Sequence, residues 1–264
     1  MNTDNHEQSL LLIDGLNILR RVYEAIQAED SPEKAQGAMR SALASFRRAL
    51  DEHRPTYALA PFDFGGRTWR HELYEAYREK RKPMPQELRE VIPQFRDTLE
   101  DRLGLKTISV EGVEADDVIA TVHGCWRAHG RSGRAVVMST DKDLAALLAQ
   151  GALIRDHFTP EWRDEAWVLK KFGVRPDQLQ DCLALIGDSS DDIPGVEKVG
   201  VKTAAGWLAT YGTLENLLAN ANDIKGKLGE RLRQQADIAR LSKRLVEFRT
   251  DMALGLTWRM LQMP

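Results

Sequence analysis

The sequence predicts an α/β fold: a mainly parallel central sheet flanked by helices, followed by a smaller helical subdomain. Three observations predict it. Short apolar runs alternate with helical patterns through the first half of the chain and a little beyond. Acidic residues stand at or just past the ends of most of those runs. From about Val174 the apolar runs stop, and short helices punctuated by glycine follow. At 264 residues the chain is long enough to bury a full core, and its 42% hydrophobic content agrees.

The first run covers residues 9–13, and Asp14 follows it directly. A helical pattern over 35–52 leads to the second run, 57–62, which Asp63 follows. The third run, 106–110, precedes Glu114-Ala115-Asp116-Asp117, which opens a helix over 116–129. The fourth, 135–139, precedes Asp141 and Asp143 and a short helix over 142–148; the fifth is 152–155. Right-handed crossovers align the carboxyl ends of such strands on one edge, where ligands of open sheets bind. The polar stretch 65–93 reads either as a long mobile segment or as a pair of short helices leaving the sheet. A helix over 177–186 and a basic helical tail over 223–248 complete the chain.

Composition excludes several classes. No apolar run is long enough to span a membrane, and no basic-then-apolar leader is visible. Cys125 and Cys182 cannot form a disulfide framework; each sits in an apolar helical context and reads as a core residue, in a reducing, cytoplasmic setting. The histidines lack zinc spacing: His123 and His129 fall on different helix faces. There are 37 Lys+Arg and 40 Asp+Glu, a net charge of -3 that taken alone argues against a nucleic-acid partner.

The acids carry the chemistry. One Asp after one strand is most often a turn former or an N-cap. Several acids gathered on one edge repel one another and raise each other's pKa unless a cation is present. An all-oxygen cluster with open positions suits Mg²⁺ or Mn²⁺. Two such ions about 4 Å apart would activate water and stabilise the leaving oxygen of a phosphodiester. Gly187-Asp188-Ser189-Ser190-Asp191-Asp192 adds a further acidic pair after the helix 177–186. The segment Gly195–Thr203 nearly spells a P-loop, but its spacing is wrong and it follows a helix, so nucleotide binding is rejected. It reads either as a plain helix–helix turn or as a helix-hairpin-helix turn, with Gly200 allowing close backbone approach and Thr203 starting the next helix, whose free N–H groups can hold a phosphate. Residues 69–82 interleave Trp69, Tyr74 and Tyr77 with Arg70, Arg78, Lys80, Arg81 and Lys82, a pattern that fits tracking phosphates and stacking bases better than an amphipathic helix with a solvated charged face. The bases of 225–249 read either as duplex-backbone contacts or as the solvated face of a helix.

These residues resemble the 5′-nuclease family, which includes the N-terminal domain of bacterial DNA polymerase I, phage 5′-exonucleases, exonuclease IX and the eukaryotic flap endonucleases. The resemblance rests on LLLIDGLNILRR, PFDFGGRTWRHELYEAYREKRKPMP, VEADDVIATV, STDKDLAALL and GDSSDDIPGVEKVGVKTA, in family order over roughly residues 10–215 of a free-standing chain. The tail LSKRLVEFRTDMAL also looks like the family. The resemblance implies a PIN-like core over 1–173 with an arch at 64–95, and a helix-hairpin-helix (helix-three-turn-helix) DNA-binding subdomain with C-terminal helices over 174–264. It implies a metal site of Asp14, Asp63, Glu114 and Asp116 in one cluster and Asp141, Asp143, Asp188 and Asp191 in the other, with Asp117 between them. It implies Arg78, Arg81 and Lys80 at the scissile phosphate. Arg70, Tyr77, Lys198, Gly200, Lys202 and Thr203 would contact DNA, and carbonyls near Val196 and Val199 would hold K⁺. Exonuclease IX looks depleted in acids at the GDSSD segment, whereas Asp188 and Asp191 are present here, which places this chain with the metal-complete branch.

Three positions depart from the family pattern: Arg78 for a usual Lys, Asp192 for a usual Asn, and Lys198 for a usual Gly. The implied activity is divalent-metal-dependent 5′-3′ exonuclease and flap endonuclease action, by a monomer, on DNA with a 5′ flap, a pseudo-Y or a free 5′ end beside duplex. A PIN-type ribonuclease and a non-cleaving branched-DNA binding module are the alternatives. Setting the nine acids assigned to the metal site aside leaves a basic remainder, so the net charge no longer opposes a DNA partner.

Overall fold

The computed structural model describes residues 8–130 and 133–264. Residues 1–7 and 131–132, part of the expected α/β domain, lie outside the described residues. The sheet has six strands in the order β3-β2-β1-β4-β5-β6. They are β1 (Leu10–Ile13), β2 (Tyr57–Pro61), β3 (Lys106–Ile108), β4 (Ala135–Met138), β5 (Leu153–Arg155) and β6 (Trp162–Arg163). The first five pair in parallel and β6 is antiparallel to β5. The sequence reading missed β6, because two residues carry no periodicity. The strand order reverses at β1, whose neighbours are β2 and β4. Such a switch point opens a crevice at the carboxyl ends of the strands.

Every residue of β1 is buried, because helices cover both sheet faces. Leu11 and Ile13 face α1 (Gly15–Ala25), α2 (Pro32–His53) and α4 (Gln86–Leu103). Leu10 and Leu12 face α5 (Ala115–Ala128) on the other side. The short α3 (Trp69–Leu73) precedes α4. The expected arch, 64–95, is therefore shorter than predicted. Leu88, Val91, Phe95 and Leu99 form a buried stripe at helical spacing, so 86–95 is the first half of α4, packed on α2. Only residues 64–85 leave the sheet, as α3 and a run of turns.

Beyond α6 (Glu165–Phe172), a second core forms around α7 (Leu179–Ile186), α8 (Val201–Tyr211), α9 (Leu214–Ala219), α10 (Gly226–Gln234) and α11 (Ala236–Val246). The α7–α8 connection is a tight hairpin. Asp188 and Ile193 pair across it, and a Cβ on Gly195 would lie 2.4 Å from the Gly187 nitrogen. The chain end packs back on the α/β core. Met252, Leu254, Leu256 and Leu261 pack there, the last on α12 (Trp258–Leu261), and the Met263 amide donates to the Thr56 carbonyl at 3.0 Å. Cys182 is buried as expected, but Cys125 is exposed, because it lies on the outer face of α5. Among the described residues no helix is long and apolar enough to cross a membrane.

His123 is fully buried on α5, and neither ring nitrogen has a hydrogen-bond partner. Burial pushes its pKa down to about 4. Unfolding therefore takes up a proton as pH falls from 6.5 toward 4, and stability is lost across that window. The loss amounts to about 3 kcal/mol. A His123→Leu variant should lose that much less stability between pH 7 and pH 4.5, read from urea midpoints of both proteins at each pH.

Candidate active site

The carboxyl edge of the sheet gathers acids from elements far apart in sequence. Asp14 ends β1 and caps α1: its Oδ1 accepts from the Asn17 amide at 3.2 Å. Its Oδ2 accepts from Ser139 Oγ, at the end of β4, at 2.8 Å. Asp63 follows β2 and accepts from the Ala115 amide at the start of α5, at 2.7 Å. Glu114 and Asp116 flank that amide. Asp141 follows β4 and accepts from the Asp143 amide at 2.9 Å. The missed strand β6 buttresses this loop: Arg163 donates to the Asp141 and Thr140 carbonyls at 2.7 and 2.9 Å. N-capping and site-building are thus one act here, not alternatives.

Asp14, Asp63, Glu114, Asp116 and Asp141 line one cleft. Asp141, Asp143, Asp188 and Asp191 line the adjoining one, with Asp141 shared. Burial, then the charges of Asp63 and Asp141, push Asp14 up to about 7. Burial and Asp141 push Asp143 up to about 7. Asp116 is raised well above the usual carboxylate range by burial, then by Asp141, Asp14, Asp63 and Glu114. The donor set suits a hard divalent cation. It is all carboxylate oxygen, and buried Asp143 Oδ1 accepts no hydrogen bond, its cation partner Lys142 standing off at 3.6 Å. Among the described residues, no three acids already stand at the spacing of a closed metal shell. Like charges oppose that approach.

Cations bridge the two clefts. Arg78 reaches Glu114 at 3.2 Å and Asp191 at 3.0 Å, joining the two acid groups. Arg81 lies 3.8 Å from Asp191 and is more open to solvent. Lys80 points outward and pairs with Asp192 at 3.2 Å, so the extra charge of Asp192 is neutralised at the rim. Lys142, which sequence reasoning passed over, pairs with both Asp188 and Asp143. Its signal was present: it sits between the two Asp residues of Thr-Asp-Lys-Asp. Arg20 was also missed; it lines both clefts and pairs with Glu24 at 2.8 Å.

Other predicted residues are placed differently. Asp117 is 0% exposed and belongs to neither cleft. Arg70 grips both its oxygens at 2.8 and 3.0 Å, and the Trp69 indole and the Arg249 amide each donate to it at 2.9 Å. With its acceptor sites filled, Asp117 is a structural anion and not a metal ligand. Arg70 is 3% exposed and also donates to the Leu245 and Glu247 carbonyls, so it cannot reach DNA. Tyr77 is likewise buried; its hydroxyl donates to Glu114 at 3.2 Å and Asp191 at 3.3 Å, and its ring is not a base-stacking surface. The aromatics of 69–77 therefore hold the arch down, while Lys80, Arg81 and Lys82 face outward. The basic tail is also largely committed: Lys243 pairs with Asp181, Arg240 with Glu215, and Arg233 caps the Ala221 carbonyl.

In the hairpin, Lys198, Gly200 and Lys202 are exposed, Thr203 is half-buried, and Val196 and Val199 are buried. Gly200 caps α8 without any side-chain acceptor, which leaves first-turn N–H groups for an anion. Among the described residues four non-glycines have positive φ, and three of them are the departures Arg78 (57°), Asp192 (54°) and Lys198 (63°). The left-handed region explains why Gly or Asn suits the last two positions.

Two adjacent acids should respond oppositely to neutralisation. Asp117→Asn leaves the Arg70 guanidinium buried opposite a neutral group and should cost about 3–5 kcal/mol. Asp116→Asn removes a buried, repelled charge and should raise the melting temperature in EDTA at pH 8. Because the folded-state pKa of Asp116 is raised, that gain should vanish as pH falls toward its usual value of 3.8. Thermal unfolding of both variants at the two pH values checks the signs.

Comparison with known proteins bears on the arrangement as a whole. The chain matches the 5′-3′ exonuclease N-terminal resolvase-like domain over residues 9–173 and the 5′-3′ exonuclease C-terminal SAM fold over residues 174–264. It is 39% identical to the flap endonuclease Xni of Aeromonas hydrophila, over 98% of this chain and 97% of that protein. It is 36% identical to the flap endonuclease Xni of Serratia proteamaculans, over 97% of this chain and 98% of that protein. Its fold is similar to that of a bacteriophage T5 flap endonuclease solved as a pseudo-enzyme-product complex with DNA and metal ions, with a TM-score of 0.73, 20% identity, and coverage of 91% and 89%. A zinc-bound T5 5′-exonuclease gives 0.72 at 21% identity, over 90% and 89% of the two chains. With both domain matches running end to end and relatives this close over their full lengths, the chain belongs to the 5′-3′ exonuclease family of structure-specific 5′ nucleases.

Proposed function

We propose that the two adjoining acid clefts form a divalent-metal centre that hydrolyses DNA phosphodiesters at 5′ flaps, pseudo-Y junctions and free 5′ ends beside duplex. The observation that carries the reading is that Asp141 is shared by the two clefts while Arg78 spans them. Asp14, Asp63, Glu114 and Asp116 would hold one ion, and Asp141, Asp143, Asp188 and Asp191 the other. Mg²⁺ or Mn²⁺ bound there supplies the positive charge that lowers the pKa of an attacking water and stabilises the leaving oxygen.

The chain's own residues position the substrate. Arg81, Lys80 and Lys82 line the mouth of the second cleft and offer phosphate contacts. Arg78 contributes a planar, fixed charge beside the reacting phosphate and no proton. Lys198, Lys202 and the uncapped start of α8 hold the duplex backbone, without regard to sequence. A K⁺ ion at this turn would draw on the carbonyls near Val196 and Val199; the Val196 carbonyl already accepts from the Val199 amide at 3.0 Å. We read the protein as a monomer working in a reducing, cytoplasmic setting, which suits two free cysteines.

The competing reading, a branched-DNA binder that does not cut, is favoured by one observation: Arg78 is held by Glu114 and Asp191. A labelled 5′-flap substrate separates the two. The expected result is cleavage in Mg²⁺ and none in EDTA. Asp141→Ala should lower the cleavage rate by at least about a hundredfold while the flap still binds. Tight binding with no cleavage by the unaltered protein would leave the binder standing.

A further inference from the structure

We propose that Phe158 and Arg21 form a stacking subsite for one unpaired DNA base at the rim of the first acid cleft. The inference rests on the nuclease reading above and adds a substrate contact to it. Phe158 lies in the loop between β5 and β6 and is 42% exposed. The loop holding it is ordered: Asp156 Oδ1 accepts from the Phe158 amide at 2.9 Å and from the Thr159 amide at 3.2 Å. The ring itself rests edge-on against His157, with centroids 5.0 Å apart.

This loop is tied to the chemistry. Arg163 pairs with Asp156 at 3.1 Å and, through the same side chain, holds the Asp141 and Thr140 carbonyls. The position of Phe158 is thus fixed relative to the carboxylate that both clefts share. Arg21 completes the pair. Its guanidinium lies 5.5 Å from the Phe158 ring centroid, and it lines the cleft with Asp14, Asp63 and Asp141. It makes no ion pair among the described residues, although acids surround the cleft. An unpaired guanidinium over an exposed ring offers one contact to a phosphate and one surface to a base. Duplex DNA presents its bases only as edges, so the occupant is a nucleotide of a single-stranded arm.

The test compares binding by the full chain, in EDTA, to a 5′-flap duplex and to the same duplex without the arm. Phe158→Ala should weaken flap binding about tenfold and duplex binding by less than about twofold. Phe158→Trp should retain flap affinity, and Arg21→Ala should mimic Phe158→Ala. One abasic position in the arm should abolish the difference between Phe158→Ala and the unaltered protein. Equal loss on both substrates, no loss on either, or no sensitive abasic position would overturn the subsite. If the unaltered protein neither bound nor cut flaps, the nuclease reading itself would fall instead.

Discussion

Mutual repulsion among carboxylates at one sheet edge is the constraint on which the rest of the structure depends. Six acids line one cleft and five line the next, with Asp141 and Glu24 in common. Ions of like sign this close are tolerated only with nearby donors and cations. The chain supplies both. Asp63 caps the start of α5 and Asp14 that of α1, where the helix dipole favours negative charge. Arg78 joins Glu114 to Asp191, and Lys142 joins Asp143 to Asp188. What these contacts leave unmet is concentrated at Asp14, Glu114, Asp116 and Asp143, whose pKa values stay raised. Those four are the groups for which a divalent cation has the most to offer.

The same logic links the two parts of the molecule. Asp117 sits one residue beyond Asp116 but turns inward, where Arg70 and Trp69 from α3 and the Arg249 amide from the chain's last stretch meet it. Arg70 also takes the carbonyls at the end of α11. One buried ion pair therefore fixes the base of the arch, the first turn of α5 and the helical subdomain relative to one another. On the other flank, Arg163 performs a similar task for the Asp141 loop. The site's geometry is set by contacts between segments more than a hundred residues apart in one case and about twenty in the other.

The departures from the family pattern acquire a structural meaning. Lys198 and Asp192 occupy left-handed backbone, where Gly and Asn are the less strained choices. Asp192 is compensated locally, since its carboxylate accepts from the Lys80 amide at 2.8 Å and meets the Lys80 ammonium. Lys198 is exposed at the hairpin turn, where its charge adds to the phosphate-facing start of α8. Neither substitution adds an unpaired charge to the acid clefts.

The sequence by itself determined five of the six strands, their parallel pairing, and the edge at which the acids collect. Those follow from the placement of apolar runs and from chain-topology rules that depend little on side-chain detail. The division of those acids into two groups came from the family resemblance, and not from the spacing of the residues. Only the tertiary structure decided which acids stay available. Asp116 and Asp117 are neighbours in sequence, yet one remains in the cleft and the other is consumed by Arg70. Tyr77 and Arg70 read as DNA contacts from their neighbours, yet both are buried by α11 and Glu114. Lys142 and Arg163 carried no recognised role, and β6 was too short to see. The reason is physical: helical and strand periodicity assign a residue to a face, whereas a charge is neutralised by whichever partner the fold brings within about 3 Å, and that partner can come from anywhere in the chain.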